Sequence, residues 1–315
     1  MERIKGKRII VTGGTGFIGS HLVEQLIVLG AKVLVVDIVC LKLSYFVTQK
    51  LHKKVPLKLI DIANREKIEN LFKSFKPDYV FHLAAEAIVN NSYNDPYKTF
   101  QTNVMGTVSI LEAGKKYKVK GVIVASSDKA YGKTNEAYTE KSPLQGDHPY
   151  DVSKSCTDLI AQTYYKTYDL PVVVTRFGNV YGEGDLHLDR IIPGICEAII
   201  KDKQLLIRSN GKYVRDYLYV KDVADGYIFL LQNLEKIKGE AFNFSTTDTY
   251  SVIELIKLSE KILKTKINYK IINNAKNEIP YQHLNDKKIR KLGWKPKYSL
   301  DKSLPQILLS YNGVI

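Results

Sequence analysis

Short β-branched runs alternate along the chain with amphipathic helical patterns. "RIIVTGG", "KVLVVD", "PLKLID", "YVFHLAA", "GVIVASS" and "PVVVTRF" are nearly continuous apolar runs bounded by glycine, proline or charge, the pattern of strands buried on both faces. Between them, "FIGSHLVEQLIVLG" and "TFQTNVMGTVSILEAGKKY" repeat their apolar positions at helical spacing. This rhythm predicts an α/β protein with a doubly wound parallel sheet of the Rossmann type. After residue 178 the rhythm loosens into loops, "IIPGICEAIIKDK" and a C-terminal section, which predicts a smaller α/β domain that binds substrate over the carboxyl ends of the strands.

Composition narrows the class. With 44% hydrophobic and 25% charged residues, the 315-residue chain reads as an ordinary soluble globular protein. No run approaches the roughly 18 apolar residues of a membrane span, and the basic start "MERIKGKR" is not followed by a signal-peptide core. Cys40, Cys156 and Cys196 lie far apart, without the spacing of a disulfide framework or a metal site, so the expectations are a reducing cytoplasm and no metal. The net charge of +14 is spread along the whole chain rather than gathered in a basic run with aromatics. A nucleic-acid partner is therefore not expected; the charge fits steering of a small polyanion and fits equally a plain lysine-rich composition that needs no partner.

In "VTGGTGFIGSHL", Gly13, Gly16 and Gly19 follow a strand and open a helix, as a turn that approaches a pyrophosphate requires. Asp37 ends the second strand, where a carboxylate can accept from ribose hydroxyls and would repel a 2′-phosphate; NAD is thus expected rather than NADP. Asp61 and Ile62 end the third strand near the expected adenine, although Asp61 reads equally well as a helix cap. Ala84 and Ala85, in "HLAA", are small enough for a cofactor to pass, and His82 reads as packed rather than catalytic. In "YDVSK", Tyr150 and Lys154 stand four apart on one helical face, so an ammonium lies where it can lower a phenol's pKa. Ser127 adds a hydroxyl at the end of the fifth strand.

Together these motifs resemble the extended short-chain dehydrogenase/reductase family of nucleotide-sugar epimerases and dehydratases. The resemblance runs through "TGGTGFIG", "HLAA", "TNVMGT", "SSDKAYG", "YDVSK", "RFGNVYG", "RDYLYVKDVADG" and "LGWKP" in order, and is nearest to the CDP-glucose 4,6-dehydratases. It implies an NAD-binding part over residues 1–178, completed by a segment near 215–245, a nucleotide-sugar part mainly over 179–315, and a homodimer. It adds Phe17, Ile18 and Leu83 to the cofactor set, makes Ser127, Tyr150 and Lys154 the hydride-transfer set, and puts Glu86, Asn179, Arg190 and Arg215 with the substrate. Asp128 and Lys129 fall where dehydratases carry an acid and its partner for water loss; the lysine acts as a neutral base or as a charge that stabilises an enolate. Glu86 replaces a frequent glutamine, which marks a different sugar or a pairing with a lysine. A 4-epimerase and a catalytically silent NAD-binding module are the competing readings.

Overall fold

The computed structural model describes residues 4–134, 136–246, 249–274 and 279–314. Six strands form at the predicted runs: β1 (Arg8–Thr12), β2 (Lys32–Asp37), β3 (Leu57–Leu59), β4 (Tyr79–His82), β5 (Gly121–Ala125) and β6 (Val172–Phe177). A seventh strand, Ala241–Phe244, joins the outer edge of β6, and the seven-stranded order is Ala241–Phe244, β6, β5, β4, β1, β2, β3, parallel throughout.

Alternation within the strands builds two cores, because successive side chains point to opposite faces. Ile9, Val11, Val35, Phe81, Ile123 and Val173 meet helix Phe17–Val28 and helix Val220–Ile237 on one side. Ile10, Val36, Val80, Val122, Val124 and Val174 meet helices Arg65–Phe75, Gly106–Lys116 and Pro149–Tyr168 on the other. A third apolar cluster, with Ile192, Ile195, Tyr217, Leu255 and Leu304, lies in the later part of the chain.

That later part carries its own small sheet. Val214–Tyr219 pairs with Thr249–Ser251, with Tyr281–Gln282 and with Asn179–Tyr181, while Leu205–Ile207 pairs with Tyr269–Ile271. The chain leaves the large sheet after β6, returns through helix Val220–Ile237 to place Ala241–Phe244, and leaves again for Thr249–Ser251. Strand order reverses between β1 and β4, so the loops after these two strands diverge and open a crevice at their carboxyl ends.

Candidate active site

The glycine turn lies on the end of β4. Gly13 has φ +70°, and a Cβ there would stand 2.7 Å from Ala84 N; one on Gly19 would stand 2.1 Å from Gly13 O. These two glycines let the turn close on itself and on the "HLAA" backbone. Gly16 caps the twelve-residue helix Phe17–Val28, whose start has no side-chain cap and no acidic residue in its first turn. The N–H groups of that turn are therefore left for an anion.

Asp37 is already engaged from within the protein. Its Oδ2 accepts from Thr15 N at 3.1 Å and Thr15 Oγ1 at 2.7 Å, and its Oδ1 accepts from Ile38 N at 2.8 Å. Each carboxylate oxygen offers more than one lone pair, so acceptor capacity remains for a ribose. Thr15 was not singled out from the sequence, although it sits inside the glycine motif. The uncapped helix start, the glycine cradle and the anchored carboxylate together fit an adenine dinucleotide.

Asp61 does not cap the helix after it. Its Oδ1 accepts from Ala63 N at 2.8 Å, whereas Asn64 caps the helix by accepting from Lys67 N at 3.0 Å. Asp61 and Ile62 lie two and three residues past the end of β3 rather than ending it, and the Ile62 side chain is buried against Gly106. Leu83 N and Ala84 N both donate to Thr12 Oγ1 at 3.2 Å, which holds "HLAA" beside β1, with Ala85 next in the loop. His82 is buried between Thr12 Oγ1 (2.8 Å from Nδ1) and Thr107 Oγ1 (3.0 Å from Nε2). Thr107 donates its own proton to Asn103 O at 2.6 Å, so Nε2 carries the histidine's hydrogen and Nδ1 accepts. Burial, aided by the charge of Lys154, pulls this imidazole down to about 3.

The end of β5 and the start of helix Pro149–Tyr168 gather the remaining groups. Ser127 Oγ accepts from Lys129 N at 3.2 Å and donates to Asp128 Oδ1 at 2.9 Å. Asp128 is 5% exposed, and burial raises its pKa against the lowering effects of Lys129, Ser127 and Arg215. Tyr150 is also buried, at 9% exposed, and lies within reach of Ser127. Burial lifts its phenol well above the ordinary range; Asp128 adds to the rise, and Ser127 and Arg190 oppose it. The lowering by lysine expected from "YDVSK" is not among the influences on this phenol, which burial dominates; Lys154 Nζ instead donates to Ala125 O at 2.8 Å. Burial draws Lys154 down to about 8, with Asp158 opposing.

The later part of the chain reaches the same place. Asn179 opens the strand Asn179–Tyr181, and its Nδ2 is buried without a hydrogen-bond partner among the described residues. Arg190 Nη1 donates to Asp185 Oδ2 at 3.0 Å, and Arg215 Nη1 donates to Val214 O at 2.8 Å. Their charges reach Tyr150 and Asp128 respectively, Arg190 lowering the pKa of the one and Arg215 that of the other. Glu86 turns back on its own loop, accepting from Ile88 N at 3.1 Å and Asn91 Nδ2 at 3.3 Å.

Two further residues escaped sequence reasoning. Asn103 accepts from Glu86 N at 2.7 Å and donates to Ser153 Oγ at 2.9 Å, tying the "HLAA" loop to the Tyr150 helix; "TNVMGT" was its only signal. Gln282 Nε2 donates to Asp128 Oδ2 at 3.2 Å from a two-residue strand that no pattern announced.

A family model described as the NAD dependent epimerase/dehydratase family matches residues 9–245. The CDP-glucose 4,6-dehydratase of Salmonella typhimurium is 33% identical over 328 residues, covering 96% of this chain and 90% of the relative. The dTDP-D-glucose 4,6-dehydratase of Dictyostelium discoideum is also 33% identical; there the match covers 83% of this chain and only 62% of the longer relative. Among solved structures, the Thermotoga maritima UDP-glucose 4-epimerase with UDP-glucose superposes with TM-score 0.88 at 32% identity, covering 98% of this chain and 99% of its own. The Streptomyces venezuelae dTDP-glucose 4,6-dehydratase with NAD bound gives 0.88 at 27% identity, with 97% of both chains covered. A chain with this parallel sheet, this glycine cradle and these relatives belongs to the NAD-dependent epimerase/dehydratase family, and NAD is its cofactor.

Proposed function

We propose that the chain is a nucleotide-hexose 4,6-dehydratase acting on CDP-glucose or a related nucleoside-diphosphate hexose. The observation that carries this reading is Asp128, a buried carboxyl with a raised pKa, set between Ser127 and Lys129 and electrostatically coupled to Tyr150. Exchange of hydride at one carbon needs no such acid, whereas expulsion of a hydroxyl does.

NAD, held by the glycine turn, Asp37, the backbone at Ile62 and the "HLAA" segment, supplies the hydride acceptor for oxidation at sugar carbon 4 and the donor for carbon 6. Tyr150 would take the proton of the carbon 4 hydroxyl as a phenolate, the form that the positive charges of bound NAD and of the Lys154 ammonium favour against the burial that opposes it. A ketone at carbon 4 makes the carbon 5 proton acidic, and the carbon 6 hydroxyl then departs as water with a proton from Asp128. Lys129 has two roles open to it: as an amine it takes the carbon 5 proton and, after exchange with solvent, returns a proton there as carbon 6 receives hydride; as an ammonium it stabilises the enolate. Asn179, whose buried amide has a donor to offer, joins Arg190 and Arg215 in binding the nucleoside diphosphate, with Glu86 on the sugar side. In this reading residues 1–178, together with the returning segment near 215–245, hold the cofactor, and 179–315 mainly hold the nucleotide sugar.

The Thermotoga maritima structure supports a second reading, a 4-epimerase built on the same Ser127, Tyr150 and Lys154. Incubating the purified protein with CDP-, dTDP- and UDP-glucose and weighing the products separates the two. A product lighter by one water, carrying deuterium at carbon 5 when made in deuterated water, is expected; an isobaric product establishes the epimerase. In Asp128→Asn, oxidation should persist while elimination slows by about 10²–10⁴, so that reduced nicotinamide accumulates. Parent-like turnover of that variant overturns the acid assignment, and NAD binding with no turnover of any sugar leaves the silent module.

A further inference from the structure

The amide of Gln282 joins the two side chains that set a dehydratase apart. Gln282 is fully buried; its Nε2 donates to Asp128 Oδ2 at 3.2 Å and its Oε1 accepts from Lys129 Nζ at 3.5 Å. Ser127 Oγ donates to the other carboxyl oxygen, so Asp128 is held from two sides. A primary amide presents donors at one end and an acceptor at the other. With a carboxyl on one side and a lysine amine on the other, only one of its two orientations satisfies both neighbours. Each Asp128 oxygen accepts one bond from the protein and keeps a second site, on which an acidic proton can point away from both partners.

The backbone under Gln282 is fixed independently of these contacts. Tyr281–Gln282 pairs in parallel with Val214–Tyr219, and Gln282 lies opposite Arg215. A residue 154 positions away from Asp128 in sequence thus brings the small sheet to the end of β5.

We propose that Gln282 is a positioning residue for the elimination step, aiming the Asp128 carboxyl, while its contact with Lys129 fixes which way its own amide faces. This rests on the dehydratase reading. Hydrogen bonds to charged or acidic groups are among the stronger ones in proteins, so loss of this one should be visible in the elimination rate.

The test is single turnover of the NAD-loaded enzyme with the nucleotide sugar that the parent dehydrates, followed by nicotinamide absorbance. In Gln282→Met, which keeps the length and lacks the donor, absorbance should rise at the parent rate and decay at least about tenfold more slowly. Combined with Asp128→Asn, it should decay no more slowly than Asp128→Asn alone, because Gln282 acts through that carboxyl. A merely structural role would slow both phases or multiply the two losses. If Gln282→Met lacks a cooperative melt, Gln282→Asn, whose amide is one methylene short, decides by the same two phases. Parent-like decay in a folded variant, or multiplied losses, overturns the inference while the dehydratase reading stands. Failure of the parent to lose water from any sugar overturns both, and is recognised by its products before any variant is compared.

Discussion

At the scale of single residues, Thr15 changes what Asp37 does. The carboxylate anchors the glycine turn through two Thr15 bonds as well as facing a ribose, so Asp37→Ala removes a charge and a brace together. Calorimetry should find NAD bound more weakly by Asp37→Ala and the gap to NADP narrowed, whereas Thr15→Val, which keeps the charge, should weaken NAD and preserve the gap. Equal affinity of the parent for both cofactors would refute the role given to Asp37. Two buried groups also shape stability against pH in opposite senses. Burial lifts Asp216 from 3.8 to about 7, so the folded state keeps a proton that the unfolded state releases, and stability falls as pH rises through that window. Burial lowers His82 from 6.5 to about 3, so the unfolded state binds a proton that the folded state refuses, and stability falls as pH drops below 6.5. Each effect is on the order of 4–5 kcal/mol as an upper bound. Melting temperatures between pH 4 and 7 should therefore rise more steeply with pH in Asp216→Asn than in the parent, and less steeply in His82→Gln. Profiles that run parallel to the parent's would show that neither group titrates as its burial requires.

At the scale of elements, one buried ion pair fastens the site's supports to each other. Arg176 of β6 donates through Nε and Nη2 to Asp158 of helix Pro149–Tyr168 at 2.7 and 2.8 Å, and through Nη1 to Tyr131 Oη at 2.6 Å. Tyr131 Oη donates to Asn243 Oδ1 in the seventh strand at 2.7 Å. Asp158→Ala leaves a guanidinium buried without its counter-charge and should destabilise by about 3–5 kcal/mol in denaturant unfolding. A loss below about 1 kcal/mol would mean that the arginine finds water or another partner. This brace shows where sequence reading stops. Most strand runs were legible because strands buried on both faces are largely apolar; β6 is buried at all six positions, four of them apolar. Asp158 and Arg176 were not, because a charge looks solvated until its partner is known. The segment "TFQTNVMGTVSILEAGKKY" is helical throughout, yet it contains a π turn at Gln101–Met105 that apolar spacing does not reveal. Gly13, Asp37, Ser127, Tyr150 and Lys154 were legible because each sits at a strand end or helix start, where local spacing fixes position. Gln282 sits on two residues of strand whose neighbours are set only by tertiary pairing.

At the scale of the whole molecule, the layer holding the Tyr150 helix leaves apolar groups outside. Tyr97 is 79% exposed, and Met105, Leu159 and Tyr168 are about half exposed on that helix and on the helical stretch from Pro96 to Lys116. Pairing of these faces between two copies predicts a dimer, and sedimentation at micromolar concentration should give twice the chain mass of 35.8 kDa. A monomer would refute it without touching the chemistry of the site. Among the described residues no helix is long and apolar enough to cross a membrane. The returning strand Ala241–Phe244 has a further consequence, for synthesis rather than catalysis. Until residue 244 has left the ribosome, β6 has a neighbour on one side only, and "VVVTRF" presents an unpaired apolar edge of the kind that recruits other chains. A fragment cut at residue 178 should therefore aggregate on expression while one continued to residue 246 stays dispersed, and the nascent protein must be shielded through a long stretch of translation before its first sheet can close.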